Sequence, residues 1–283
     1  DAAPSFEAQA LYADLACLDL GWNATAAPEE AAEEAAIFLE GETPHELELR
    51  PEPWEVPTAT TTYKCFFFEY PEDRPYHIVG FEPIMNDTRH PHHILLFLLE
   101  DQVPDGDHAK AVNAKDSMMH AEWYGWSQRL VGMWLPGPSK KMVQVPREAG
   151  FLAGPGVALS LLMNVHYHNP ERAAGWHDAT GIRVYATTAR RAHDAGILWT
   201  GAVEAGGSIP PRKRRVFSQA TCTAAQDATV VGHIAHAHGL GRQIFTEVLR
   251  EKKKVGDIGR NDHWHHTRHH FAMFARPFYE LQR

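Results

Sequence analysis

From about residue 58 the chain is a succession of runs, most of them short, apolar or alternating and separated by Gly, Pro, Asn or Asp, and this texture limits what it can fold into. Residues 63–70 are aromatic-rich and stop at Pro71; 92–99, 157–168, 181–187, 197–203, 216–220 and 243–249 are built the same way. Runs of this length between turn residues read as β-strands. Many short strands without interleaved helices pack as sandwiches or barrels. The expected class is all-β, with a boundary between two β domains at 190–195.

Residues 1–55 differ in texture. Residues 27–41 carry Pro28 near a helix start, Glu29, Glu30, Glu33 and Glu34 in the early turns, and Gly41 at the end. Proline at the first turn, acid near the positive helix end and a terminal glycine are helix punctuation. Pro44, Pro51, Pro53 and Pro57 then predict an extended linker, so 1–55 reads as a helical arm that docks on or covers the remainder.

The bulk composition removes several function classes. The chain is 44% hydrophobic and 22% charged, within the globular range. A net charge of −9 argues against nonspecific nucleic-acid binding. The one tight basic run, Arg212–Arg215, follows Ile209-Pro210-Pro211 and reads as a solvated strand entrance. No apolar stretch reaches the ~18–20 residues of a membrane-spanning helix. The sequence starts at Asp1 rather than Met, which leaves room for an export signal. Asn23-Ala24-Thr25 and Asn86-Asp87-Thr88 would accept glycans in a secretory compartment. Three cysteines, Cys17, Cys65 and Cys222, do not read as a disulfide framework.

Five histidines carry the candidate chemistry: His92, His93, His166, His236 and His238. Imidazole is the commonest protein ligand for late first-row metals. On a strand, residues i and i+2 share a face, so His236 and His238 can reach one ion. His92 and His93 pose a difficulty, because strand neighbours point to opposite faces. A kink or β-bulge after Pro91 would bring both rings round to one ion. His166 ends an apolar run, where a lone histidine is ordinarily a satisfied core residue. His90 and His233 read as bystanders. His168 precedes the Asn169-Pro170 turn and reads as an outer neighbour at best. The tract 261–270, with five more histidines, reads as an exposed loop.

The words around these histidines, in their order, are His-His-Ile-Leu-Leu-Phe (92–97), Val-His-Tyr-His-Asn-Pro (165–170) and His-Ala-His-Gly-Leu-Gly-Arg (236–242). They resemble the copper type II, ascorbate-dependent monooxygenases. Segments 63–71, 77–83, 134–156, 181–185, 195–197 and 209–211 extend the resemblance over roughly 56–250. The resemblance implies two antiparallel β-sandwich domains, 56–195 and 196–283, each with one copper, facing a solvent cleft. His92, His93 and His166 would hold the copper that stores and delivers an electron. His236 and His238 would be catalytic, holding the copper that uses dioxygen. The implied partners are a small organic substrate and O2, with ascorbate as reductant and a secretory or luminal location.

Departures from the family are equally specific. The family adds a methionine to the second copper, and none of Met85, Met118, Met119, Met133, Met142, Met163 or Met273 matches it. In the family that strand lies beyond the position of Arg283. The second domain spans about half a family domain, so further sequence or a partner chain is expected to cover its strand edges. Cys65 and Cys222 resemble family half-cystines, but their partners are not found. The peptide-hydroxylating branch has an arginine where this chain has Ile234, which disfavours peptide substrates, and the Val-His-Tyr-His-Asn-Pro phrase resembles the dopamine-hydroxylase branch. Two functions follow: a copper monooxygenase, or a non-catalytic relative acting as a structural or interaction subunit. A zinc hydrolase is a third, weaker alternative, since three histidines can hold catalytic zinc but no general base is assigned.

Overall fold

The computed structural model describes residues 37–69, 74–86, 89–99, 112–114, 128–135, 142–158, 160–198, 200–201, 209–237, 239–265, 271–274 and 279–281. They fall into two compact units, one built on Glu34–Ile197 and one containing Leu198–Arg283. All regular structure among the described residues is β-strand.

Two larger sheets and a small ladder make up the described part of the first unit. One is five-stranded and antiparallel, in the order β6 (Val112–Ala114), β3 (Thr61–Phe68), β10 (Ser160–His168), β5 (Pro91–Leu99), β7 (Gln128–Trp134). In the other, β1 (Pro44–Leu49), β12 (Gly181–Thr187), β4 (Tyr76–Ile84), β9 (Ala149–Ala153) and β13 (His193–Asp194) lie side by side, and β8 (Val143–Gln144) pairs with β4. The last pair of that row, β13 with β9, is parallel. A small ladder joins β2 (Trp54–Glu55) to β11 (His177–Asp178).

The central strands are apolar on both faces, which is why their sequences run on rather than alternate. Leu161, Met163, Val165 and Tyr167 of β10 share one buried core with Phe66, Ile94, Leu96 and Leu98, and with Ile78, Phe81, Ile182 and Val184 of the other sheet. Burying each such side chain is worth roughly 1.5–3 kcal/mol. The alternate positions of the same three strands, Leu162, Cys65, Phe67, Leu95, Phe97 and Leu99, form a second cluster with Leu130. Period-two geometry thus gives the five-stranded sheet two covered faces.

The chain enters and leaves this unit through a buried ion pair. Arg191 donates from Nε to Glu42 Oε1 (2.8 Å) and from Nη2 to Glu42 Oε2 (3.0 Å) and Ile37 O (2.7 Å). Beside it the buried His77 ring accepts the Arg191 N–H at Nδ1 (3.0 Å) and faces Asp194 Oδ1 through Nε2 (3.0 Å). Gly150 permits this packing, because a Cβ there would lie 2.5 Å from His77 Cβ.

Among the described residues the second unit carries three two-stranded ladders. They join β14 (Ala228–Val230) to β19 (Tyr279–Leu281), β15 (Gly232–Ile234) to β18 (Phe271–Met273), and β16 (Ile244–Arg250) to β17 (Lys253–Asn261). Its buried cluster is small: Val248 and Leu281, with Ala228, Val230, Val255 and Ile258 packed on them.

Several expectations change. The segment read as an extended linker supplies β1, whose residues pair in register with β12 from Pro44↔Thr187 to Leu49↔Ile182. Most of the expected helix at 27–41 lies outside the described residues, and 37–41 form bends and a turn. Residues 216–220, and the described part of 197–203, carry no strand. Cys65 is free and buried, whereas Cys222 is disulfide-bonded.

Candidate metal centre

Three of the five histidines converge. His93 on β5 lies directly across from His166 on β10, and Tyr63 on β3 lies across from His166 on its other side. Residues opposite one another in an antiparallel pair project side by side on one face. The register then slips: Tyr167 pairs with Pro91, leaving His92 as the extra residue of a β-bulge. A bulge re-aims its side chain, which resolves the difficulty of two adjacent histidines on one strand. Pro91 contributes by offering no amide hydrogen where the regular ladder gives out.

The rings meet nitrogen to nitrogen. His92 Nδ1 and His93 Nδ1 are 3.3 Å apart, as are His166 Nδ1 and His93 Nδ1. One ligand atom from each of the three lies within 4.8 Å of the others. An ion held at 2.0–2.1 Å by imidazole nitrogens in tetrahedral directions separates those nitrogens by about 3.3 Å. Three neutral imidazoles suit copper, among other late first-row metals. The donor set and its spacing therefore fit a copper ion.

Packing holds the rings in place. The Tyr63 ring stacks on His166, with centroids 4.3 Å apart and planes at 16°. Burial raises the Tyr63 hydroxyl above its ordinary pKa, so it stays protonated. Below the rings, Asn164 Nδ2 donates to Cys65 Sγ (3.0 Å), and burial pushes the Cys65 thiol far up, so it offers no thiolate. Behind them the Tyr167 hydroxyl donates to Asp178 Oδ2 (2.9 Å), tying the end of β10 to the β2–β11 ladder. Asn169 fixes the turn that follows: it donates from Nδ2 to Pro57 O and Ala173 O and accepts the Ala173 N–H.

The remaining histidines fall as follows. His168 still belongs to β10 and is exposed, its ring centroid 6.0 Å from that of His92. The His90 ring lies tilted against Trp176, with centroids 3.9 Å apart and planes at 37°, and His233 stacks on Phe274 at 5.5 Å. His236 lies beyond the end of β15 at Ile234 and is exposed, so the strand argument for the 236/238 pair does not hold at His236; His238 lies outside the described residues.

Local packing explains why that stretch leaves the strand. Trp264 is buried, donates through its backbone N–H to Arg242 O (2.9 Å) and reaches Ala235 O through Nε1 (3.4 Å). A Cβ on Gly241 would lie 3.0 Å from the Trp264 ring and 2.8 Å from Ala237 Cβ, so only glycine fits. Arg242 Nη1 closes the turn on Gly239 O (2.8 Å) and Gly241 O (2.6 Å). The tract read as an exposed loop is therefore anchored at Trp264, with His263 and His265 exposed on either side. Sequence reasoning missed Trp264, and also Tyr63; an aromatic between two histidines was the available signal for the first.

Residues 47–174 match the N-terminal domain, and residues 193–280 the C-terminal domain, of the copper type II ascorbate-dependent monooxygenases. Over 231 residues the chain is 30% identical to dopamine beta-hydroxylase of Bos taurus, covering 77% of this chain and 37% of that protein. It is 28% identical over 226 residues to tyramine beta-hydroxylase of Caenorhabditis briggsae, covering 75% and 37%. With DBH-like monooxygenase protein 1 of Mus musculus it shares 28% identity over 236 residues, covering 73% and 36%. The chain thus spans little more than a third of the length of these curated relatives. It carries both family domains in order, with three of the histidines gathered in the first. The chain belongs to the copper type II ascorbate-dependent monooxygenase family.

Proposed function

We propose that the chain takes part in a copper- and ascorbate-dependent hydroxylation of a C–H bond in a small organic substrate. The observation that carries this reading is the convergence of His92, His93 and His166 at a β-bulge inside the first family domain. In the net reaction, R–H, O2, two electrons and two protons give R–OH and water, with ascorbate oxidised. Copper supplies the one-electron redox chemistry that links ascorbate to dioxygen. On this reading His92, His93 and His166 hold the electron-storing ion, and His236 and His238 serve the oxygen-using site.

The surrounding residues have defined tasks. Tyr63 fixes the plane of the His166 ring, and Cys65, kept as a thiol by burial, leaves the donor set all-nitrogen. The names of the relatives make arylethylamines the first substrates to assay. The two sheets sharing one core support a β-sandwich for the first domain. We assign 56–195, together with β1 and β2, and 196–283 as the two copper domains. The disulfide at Cys222 favours an oxidising, secretory or luminal location. No helix among the described residues is long and apolar enough to cross a membrane.

The test is oxygen consumption with copper and ascorbate in the presence of a panel of amines, with product identified by mass spectrometry. Hydroxylated product is expected, and His236→Ala is expected to abolish it. Turnover that survives this substitution sinks the assignment.

A second reading, as an interaction subunit, has one observation in its favour. The large exposed apolar side chains among the described residues, including Phe217 (65%) and Leu240 (70%), all lie in the second unit. Metal content separates the two readings. About two coppers per chain support the oxygenase, and one or none directs attention to a partner chain.

A further inference from the structure

We propose that the Arg215–Val216 bond is a processing site, cut by an endoprotease that recognises paired basic residues. That the chain meets such an enzyme rests on the secretory reading above. The site itself stands on the sequence and geometry of residues 209–223.

Three observations carry it. Arg212, Lys213, Arg214 and Arg215 set four cations in succession in a chain whose net charge is −9, and none of the four makes a hydrogen bond or ion pair among the described residues. Residues 209–223 are exposed without interruption and carry no strand, and Val216, just past the bond, is 46% exposed. Finally, no strand pair among the described residues joins the two sides of the bond. The first unit's strands end at β13 (His193–Asp194) and the second unit's begin at β14 (Ala228–Val230).

These features match what such a cleft requires. An extended peptide is gripped through its backbone, so the cut segment must be free of its own ladder. Exposed stretches of this kind are where proteolytic nicking concentrates. Arginine forks suit bidentate pairing with the carboxylates of acidic subsites. At the head of the run Pro211 and Arg212 form the corner of a turn, with Arg212 at φ 65°. Proline at the first corner position and a positive φ at the second are the pattern of a type II turn. A positive φ is strained for a residue other than glycine, so straightening into a cleft relieves it. On the far side the Phe217 ring leans on Phe245 of β16, with centroids 6.2 Å apart.

The other two basic runs among the described residues are held. Arg191 of Arg190-Arg191 is buried against Glu42. Lys252-Lys253-Lys254 lies on the β16–β17 hairpin, where Lys253 pairs with Arg250 and Lys254 with Leu249. Cutting there would mean opening a ladder; cutting at 215 would not.

The step is a hydrolysis. Water adds across the amide, the C–N bond breaks, Arg215 gains the oxygen as a carboxylate, and the Val216 nitrogen takes the protons to leave as an ammonium. Nothing is oxidised or reduced. The cut leaves His92, His93 and His166 on one peptide and His236 and His238 on the other, with every described ladder intact.

The experiment treats the native full chain with a purified secretory-pathway endoprotease specific for paired basic residues. Fragments are read by mass after reduction, because Cys222 is disulfide-bonded. We expect peptides ending at Arg215 and starting at Val216, formed at a rate within about tenfold of that for a synthetic peptide of residues 209–220. Losing a charge that is paired in the cleft costs at least ~30-fold, so Arg215→Ala should slow the cut by that much. Arg212→Ala should slow it less, and the Lys252–Lys254 run should stay whole. All of these residues are exposed, so the variants do not threaten the fold. A native chain that resists while the reduced, denatured chain is cut at 215 overturns the proposal, as does a native cut that Arg215→Ala leaves unchanged. The cell of origin tests the other premise: native chain found in the cytosol overturns the secretory reading, whatever the purified enzyme does.

Discussion

Both family domains carry histidine motifs, yet the two units support them differently. In the first, the histidines sit on two interior strands of a five-stranded sheet whose faces are both covered, and a ring stack and a row of cross-strand pairs hold them. In the second, His236 stands on an irregular segment beside two-stranded ladders, exposed, with Trp264 as its packing support. A donor set on central strands is organised before any ion arrives, because moving one ring means moving a sheet. A donor on an exposed turn leaves more of its geometry to be settled by binding.

The contrast between the buried ion pair of the first unit and an exposed one of the second gives the largest expected effect. Arg191 and Glu42 have side chains only 2% and 5% exposed, whereas Lys254, which pairs with Glu247 and Asp257 on the β16–β17 hairpin, is 42% exposed. Removing one partner of a buried pair strands the other charge, at a cost of about 3–5 kcal/mol. Arg191→Met should therefore lower the unfolding free energy of the first unit by about that much, measured by chemical denaturation. Lys254→Met should leave the transition of the second unit where it was. Equal responses would show that burial does not separate the two units as described.

Copper retention sharpens the comparison at the sites themselves. His93 is buried and lies within 3.3 Å of both neighbours by its Nδ1. Even groups that only support a ligand are worth about 10–100-fold in metal affinity, so His93→Ala should weaken the first site by more than ~100-fold. Dialysis after copper loading should then leave about one equivalent fewer than in the parent chain, while His236→Ala leaves the first site filled. Parental copper affinity in His93→Ala would exclude the three-histidine cluster as a copper site.

How much of this could be read from sequence also follows the two units. Strands 61–68, 91–99, 160–168 and 181–187 were legible because turn residues bracket continuous apolar runs, and central strands must be apolar on both faces. The bulge at His92 was legible as a requirement, since two neighbouring histidines cannot otherwise share an ion. β1 was not legible: four prolines between 44 and 57 look like a linker, yet edge strands tolerate proline at their first position, where β1 has Pro44. Trp264 was hidden among histidines, and its burial depends on Gly241, more than twenty residues earlier. The pairing of His77 with Asp194, 117 residues apart, left no local signal at all.

That pairing gives the smallest expected effect, a pH dependence confined to the first unit. His77 Nδ1 accepts the Arg191 N–H, so the folded ring is neutral and carries its proton on Nε2, facing Asp194. Burial lowers its pKa below the ordinary 6.5; Asp194 opposes this, and the Arg190 and Arg191 charges add to it. The unfolded chain therefore takes up a proton near pH 6.5 that the folded chain refuses. Stability from His77 is complete above that pH and declines as pH falls from 6.5 towards the depressed folded value. Glu42 and Asp194 act in the same direction at lower pH. Burial raises each, but hydrogen bonds outweigh it, from Arg191 to Glu42 and from His77 and Arg190 to Asp194, and both end below their ordinary 4.5 and 3.8. Their contributions are present above those values and lost as pH falls through the folded ones. Thermal melts between pH 7.5 and 5.5 should show the first unit losing about 2–4 °C for each ~1 kcal/mol of this linkage. His77→Gln keeps an amide donor and acceptor but cannot titrate, so it should flatten the profile in that window. A profile that His77→Gln leaves unchanged would place the titrating group elsewhere.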